Sequence, residues 1–138
     1  RREQMQLALI FLDLDHFKPV NDLHGHAVGD LLLCEAGKRI RSCLRKADLV
    51  ARIGGDEFVI LLRGVTDADA AQQVAEKVRQ SLRKDFQLGT VTAQISCSQG
   101  IALYPVHGST QTDLMHHADL AMYEAKRAGR DCVQVYDW

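Results

Sequence analysis

Residues 49–62 read LVARIGGDEFVILL, two apolar segments with Gly54, Gly55, Asp56 and Glu57 set between them. Glycine weakens strands and acids are depleted from them, so these four residues mark a turn and the whole stretch a β-hairpin. The turn accounts for the glycines. It does not account for adjacent carboxylates at the tip of an apolar ribbon.

Upstream, residues 6–14 form an almost continuous apolar run, QLALIFLDL, the mark of a strand covered on both faces. A polar, glycine-punctuated stretch, KPVNDLHGHAVGD, reads as a loop. From 30 to 46, Leu31, Leu32, Ala36, Ile40, Cys43 and Leu44 recur at helical spacing with Asp30 placed as N-cap. Downstream, Thr66-Asp67-Ala68-Asp69 resembles a capping box, and Ala70, Val74, Val78 and Leu82 continue it as a helix. A strand region at 90–104 precedes a helix over about 112–128, with Leu114, Ala118, Met122 and Ala125 on one face and Gly129 just past its end. CVQVY, 132–136, is a short final strand.

The order β-α-β-β-α-β predicts an α+β fold, the ferredoxin-like split βαβ, with an extra helix and strand appended. Its first strand lies beside the hairpin at the centre of the sheet. That arrangement carries Asp13 toward Asp56 and Glu57.

The chain has 138 residues, enough for one domain with its own core, and its 46% hydrophobic and 25% charged composition is that of an ordinary soluble protein. A net charge of −1 argues against nucleic acid as a partner, so any phosphate recognition is local. Cys34, Cys43, Cys97 and Cys132 fall at no metal-binding spacing and are expected to be reduced core thiols of a cytosolic protein. No apolar run has the length of a membrane span, and the start, RREQMQLALIFLDLD, carries acids where a signal peptide would be apolar. The expected location is the cytoplasm, including as the cytosolic part of a membrane-anchored protein.

Three carboxylates at one sheet edge repel one another unless a cation neutralises them. Hard oxygen ligands favour Mg²⁺ or Mn²⁺, which points to metal-assisted phosphoryl or nucleotidyl transfer. Taken alone, Asp13 is equally a strand-end cap, and Asp56 and Glu57 are solvated turn residues. Lys18 is placed to meet a phosphate as a point charge, or is a plain loop lysine. Asn21 and Asp30 together offer acceptors for a nucleobase edge rich in N–H donors, guanine above all, though each has an ordinary turn or cap reading. Lys126 and Arg130, around Gly129, suit a helix C-terminus as well as a phosphate. There is no P-loop: Gly37-Lys38 is followed by Arg39.

At this point the chain resembles the diguanylate cyclase, or GGDEF, family. The likeness rests on four ordered blocks: FLDLDHFKPVNDLHGHAVGD at 11–30, RKADLVARIGGDEFVILL at 45–62, GIALYP at 100–105 and ADLAMYEAKRAGRD at 118–131. The resemblance implies condensation of two GTP into cyclic di-GMP and two pyrophosphates across a homodimer, on a palm-type, nucleotide-cyclase-like fold. That fold has a mixed, mostly antiparallel sheet of about five strands flanked by helices.

Carried over position by position, Asp13, Asp56 and the backbone carbonyl of Leu14 become ligands of Mg²⁺ or Mn²⁺, with Glu57 a further metal contact. Asp56 is also the family's candidate for taking the 3′-hydroxyl proton, but a metal-bound carboxylate is a poor base, so the ligand role is favoured. Lys18 steadies transition-state charge. Asn21 and Asp30 read guanine with His26 at the substrate edge, and Lys126 and Arg130 hold distal phosphates. Gly54 and Gly55 let the nucleotide approach the backbone while the turn aims the acids.

Arg45-Lys46-Ala47-Asp48 fits the family's RxxD product-inhibition motif, so Arg45 and Asp48, with Arg79 more weakly, are candidates for an inhibitory cyclic di-GMP site. A helix-end cation followed by a turn acid looks the same. His16, His24 and His107 read as surface or loop residues, while adjacent His116 and His117 point about 100° apart on a helix and cannot share a metal as an i, i+4 pair does.

Two departures from the family pattern stand out. The preceding helix and its DxLTxLxNR-like segment are missing from these 138 residues, and Gln99 stands where an aliphatic residue is usual, which predicts local irregularity of that strand. Fused sensor or output domains are expected outside the chain. The competing function is a catalytically silent regulatory module that binds GTP or cyclic di-GMP.

Overall fold

The computed structural model describes residues 6–137. Strand β1 (Leu7–Asp15) runs into two consecutive helices, α1 (Phe17–His24) and α2 (His26–Ser42). The hairpin follows as β2 (Leu49–Gly54) and β3 (Glu57–Arg63), then α3 (Ala68–Arg83) and a small ribbon, β4 (Phe86–Leu88) with β5 (Val91–Ala93). Strand β6 (Ser96–Tyr104), α4 (Gln111–Arg127) and β7 (Cys132–Val135) complete the described chain.

The main sheet has five strands in the order β2-β3-β1-β6-β7. Only β6 and β7 run parallel; the other neighbours are antiparallel. This is the split βαβ arrangement with β1 at the centre, as expected. Because strand side chains alternate, β1 serves two layers. Ala8, Ile10, Leu12 and Leu14 join a core with Leu32, Ala36 and Ile40 of α2 and Ala75, Val78 and Leu82 of α3. Phe11 meets Leu114, Ala118 and Met122 of α4 on the other face. Asp13 and Asp15 continue that second face.

Helix α4 lies directly on the sheet. A Cβ at Gly100 would sit 2.1 Å from the Met122 amide nitrogen and 2.2 Å from the Ala118 carbonyl oxygen, so only glycine allows this approach. Beyond α4 the same face stays open over β2 and β3, where Leu7, Leu9, Leu49, Ala51, Val59 and Leu61 line an apolar groove of about 570 Å³.

Several sequence expectations change. The stretch at 18–30 is helical rather than a loop, because Pro19 is tolerated in the first turn of α1, and Phe17, Val20 and Val28 pack on the core. Gly25, at φ 91°, separates the two helices. Asp30 therefore lies inside α2 and is not its N-cap. At α3 the cap is Asp67, whose side chain accepts from Ala70 N at 2.8 Å. Of the cysteines only Cys97 is buried; Cys34 is exposed and Cys43 and Cys132 are half-buried, all as free thiols. His107 is buried and accepts a hydrogen bond from Leu103 N at 2.9 Å, so it is no surface residue.

Gln99 causes no irregularity. The β1–β6 register runs unbroken from Leu7↔Tyr104 to Asp15↔Ser96, and the fully buried Gln99 amide donates to the Ala75 carbonyl of α3 at 2.8 Å.

Candidate active site

The end of β1, the hairpin tip, the start of α1 and the end of α4 meet at one edge of the sheet. Asp13 stands opposite Glu57 in the β1–β3 register, and Leu14 N donates to the Asp56 carbonyl at 3.1 Å, tying the tip to β1. The turn itself is Gly55-Asp56. Gly55 has φ +38°, a left-handed conformation that L side chains rarely adopt, and no atom lies within 4 Å of a Cβ placed at Gly54 or Gly55. The backbone here faces open space. Arg52 Nη1 donates to the Gly55 carbonyl at 2.6 Å and braces the tip from β2.

Asp13, Leu14, Lys18, Asp56, Lys126 and Arg130 line a cleft of about 280 Å³. Six of the residues singled out in the sequence, from four elements, thus come together. Lys126 reaches down from α4 to pair with the Asp13 carboxylate. Lys18, 83% exposed, pairs with Asp22 one turn along α1.

Charge is concentrated in this cleft. The Asp56 carboxyl is pushed up to about 6, by burial first and then by the Asp13 carboxylate beside it. Burial, then Asp13, also raises Glu57; Asp119 adds to this and Lys126 works against it. For Lys126 burial acts downward, but Asp13, Glu57 and Asp56 outweigh it and hold the ammonium above its ordinary value. The acids repel, and the lysine answers only part of that repulsion.

One oxygen tests whether a metal fits. Asp13 Oδ1 is buried and has no hydrogen-bond partner. A carboxylate oxygen left this way is costly unless something cationic reaches it. Among the described residues no three His, Cys, Asp or Glu side chains form a metal-binding group by themselves. Asp13, Asp56 and the Leu14 carbonyl can supply part of a shell, with the rest left to water or phosphate, which is how Mg²⁺ is usually held. The donor set fits a hard divalent cation. Glu57 stands opposite Asp13 without completing a three-carboxylate cluster.

Asn21, His26 and Asp30 lie on α1 and α2 and do not line the acid cleft. Asn21 and His26 are within hydrogen-bonding distance, Nδ2 to Nδ1 at 3.2 Å. A Cβ at Gly29 would fall 2.1 Å from Asn21 Oδ1, so that glycine gives the Asn21 amide its seat against α2. Asp30 is exposed.

Within the RxxD segment, Asp48 is committed to the fold while Arg45 stays exposed. Asp48 is 2% exposed, and its carboxylate accepts from Arg45 N at 2.9 Å and Arg63 N at 3.1 Å. Burial pushes its pKa up, but these hydrogen bonds and the Arg45 guanidinium prevail and hold it below the usual carboxylate range. Arg45, 67% exposed, also donates to the Arg63 carbonyl. Arg79 is bound to Glu76 and, at 2.9 Å, to Asp131. Both Asp48 and Arg79 thus hold the fold.

Sequence reasoning passed over Asp15, which is 3% exposed and lines the cleft beside Asp13. The signal was present: Asp13 and Asp15 alternate along one strand and so share a face.

Comparison with known proteins agrees with this geometry. The family model for "Diguanylate cyclase, GGDEF domain" matches residues 1–132. The bifunctional diguanylate cyclase/cyclic di-GMP phosphodiesterase MucR of Pseudomonas aeruginosa is 48% identical over 130 residues, covering 94% of this chain and 19% of MucR. The cyclic di-GMP phosphodiesterase PdeR of Escherichia coli is 45% identical over 125 residues, covering 91% of this chain and 19% of PdeR. The chain thus spans about a fifth of the length of these relatives. Among solved structures, the isolated GGDEF domain of TpbB (YfiN) from Pseudomonas aeruginosa superposes with a TM-score of 0.93 at 44% identity, covering 96% of this chain and 77% of that one. With a family model spanning nearly all of its length and the acid hairpin tip set against β1, the chain belongs to the GGDEF domain family of diguanylate cyclases.

Proposed function

We propose that this domain is a diguanylate cyclase that joins two GTP molecules into cyclic di-GMP, each of two copies presenting one GTP. The carrying observation is the cleft in which Asp13, Leu14, Lys18, Asp56, Lys126 and Arg130 converge around a buried, unpartnered carboxylate oxygen. In each half-reaction a 3′-hydroxyl oxygen bonds to the α-phosphorus of the other GTP, the bond to pyrophosphate breaks, and the hydroxyl proton passes to a base or water. Two such steps close the ring.

Asp13, Asp56 and the Leu14 carbonyl hold Mg²⁺ or Mn²⁺. Such an ion, when bound, neutralises phosphate charge and polarises the reacting phosphoryl group. Lys18, Lys126 and Arg130 supply fixed positive charge where the transferring phosphates gain negative charge. Asp56 serves as ligand before base, and Glu57 shapes the field around Asp13. Asn21 and Asp30, with His26 at the edge, read guanine from the α1–α2 side. At the inhibitory product site, exposed Arg45 makes the contact with cyclic di-GMP and Asp48 anchors the turn that carries it, with Arg79 a more distant participant. Further domains flank this one in the full protein, in keeping with the small share of MucR and PdeR that it spans.

The test is incubation with labelled GTP and Mg²⁺, products resolved by chromatography, with Asp56→Ala alongside. Cyclic di-GMP from the wild type and none from the variant is the expected result. Silence of the wild type even when fused to a dimerising coiled coil would sink the cyclase. A regulatory module that binds GTP or cyclic di-GMP without turnover is the second reading, favoured by the 45% identity to PdeR, which is named a phosphodiesterase.

A further inference from the structure

Three non-glycine residues have left-handed backbone among the described residues: His16 (φ 68°), Arg130 (φ 63°) and Asp131 (φ 50°). All three adjoin one buried carboxylate, Asp15. Such a conformation is unfavourable for a residue with a side chain and persists only where its surroundings over-determine it. Here the surroundings are visible. Asp15 Oδ2 accepts from Ser96 Oγ at 2.7 Å and from Asp131 N at 3.0 Å, and Oδ1 accepts from Ser98 Oγ at 2.8 Å.

The α4–β7 turn is gripped from its other side as well. The Asp131 carboxylate pairs with Arg79 at 2.9 Å and Arg83 at 3.4 Å, both on α3. Arg130 N closes the end of α4 by donating to the Ala125 carbonyl at 3.0 Å. Arg130's own side chain is the part left loose. Its side chain is 52% exposed, its one ion pair among the described residues is with Asp15 at 3.9 Å, and no hydrogen bond among them commits its donors. It lines the same cleft as Asp13, Asp56 and Lys126.

We propose that Asp15 is a positioning residue: by clamping the Gly129–Asp131 turn and facing the Arg130 guanidinium, it holds that side chain toward the phosphates of a bound nucleoside triphosphate. A carboxylate that only closed the sheet would need the two serine hydroxyls and nothing more. The bond to Asp131 N and the adjacent guanidinium extend its reach to the one turn that delivers a cation to the cleft. Asp15 touches no reacting atom in this scheme and acts through Arg130. The idea rests on the cleft taking GTP.

The test is a double-mutant cycle on the folded domain: wild type, Asp15→Asn, Arg130→Ala and the double variant, with Mg²⁺ present. Calorimetry measures binding of 3′-deoxy-GTP, which lacks the attacking hydroxyl and so is not turned over, and of GMP, which lacks the distal phosphates. Asp15→Asn is expected to weaken 3′-deoxy-GTP roughly tenfold, the scale of one charge-assisted contact. GMP binding should stay within about twofold, since it lacks the phosphates Arg130 would meet. The double variant should bind no more weakly than Arg130→Ala alone. Faster amide exchange at Asp131 should accompany the loss.

If Asp15→Asn weakens both nucleotides alike, leaves both unchanged, or adds its full penalty to that of Arg130→Ala, the positioning role is overturned while the nucleotide reading stands. If Asp15→Asn does not fold, Asp131→Asn releases the same turn from its α3 side, and the same selective loss is expected; an unselective loss or none overturns the role. A wild type that binds neither nucleotide overturns the functional reading, and this role with it.

Discussion

Asp13 and Asp48 are both buried carboxylates, 7% and 2% exposed, at opposite ends of the hairpin strand β3. Asp48 is satisfied by the backbone amides of Arg45 and Arg63 and by a guanidinium. Asp13 has Lys126 on one oxygen and nothing on the other, with Asp56 and Glu57 pressing from the hairpin tip. A buried acid whose hydrogen-bonding capacity is filled by its own chain holds the fold together. One left incomplete stores an interaction for something that arrives later.

Separating the two roles breaks or upholds this contrast. Asp13→Asn should abolish cyclic di-GMP formation, by on the order of 10²-fold or more in turnover, while the unfolding midpoint stays level or rises as repulsion with Asp56 is relieved. A parallel fall in stability would make Asp13 another Asp48. Next in size is Gly100→Ala. Its Cβ meets the backbone of α4 at 2.1 Å, where nothing flexible can yield, so urea denaturation should register a loss of about 1–3 kcal/mol. Because α4 carries Lys126 over Asp13, turnover should fall with it.

Asp48→Ala should cost a comparable or smaller amount, about 1–3 kcal/mol near neutral pH, by stranding the Arg45 and Arg63 amides. The sign of its pH dependence follows from the depressed folded pKa. The contribution is fully present above the unfolded value of about 3.9 and is lost as pH falls through the lower folded value. Denaturation curves of wild type and variant should therefore converge in acid. Divergence there would remove Asp48 from the stabilising side of the contrast.

The smallest effect sharpens the contrast most. Gln99 Oε1 is also buried and without a partner, but it is a neutral amide oxygen in the core. Gln99→Leu should change stability by less than about 1 kcal/mol and leave turnover unchanged. If it impaired turnover as Asp13→Asn does, an unpartnered oxygen alone, without charge and an open cleft, would be the functional mark.

Periodicity made most of the sheet legible. The two-sided apolar run of β1 and the interrupted hairpin mark the central strands, and the adjacency of those strands is enough to bring Asp13 to the GGDE turn. The helical character of 17–30 stayed hidden because its polar residues face solvent, with only Phe17, Val20 and Val28 anchoring it. The cation side of the cleft was visible as Lys18, Lys126 and Arg130. The commitment of Asp48 and Arg79 was not, since it depends on contacts with Arg63 and Asp131, far away in sequence. The place of Asp15 on the face of Asp13 was legible from strand alternation, but its partners were not, since its donors come from β6 and from the turn after α4.

The rims of the sheet bear on how two copies can meet. An open strand edge invites another strand to continue the ladder, the usual route to runaway association. At one rim β2 has a register shift between Arg52 and Gly54 and carries the charged Arg52, while at the other β7 is four residues long. Neither makes a good template. If two copies pair across shared substrate as proposed, neither rim offers them a ladder to extend, and the partnership would be free to come apart once product leaves.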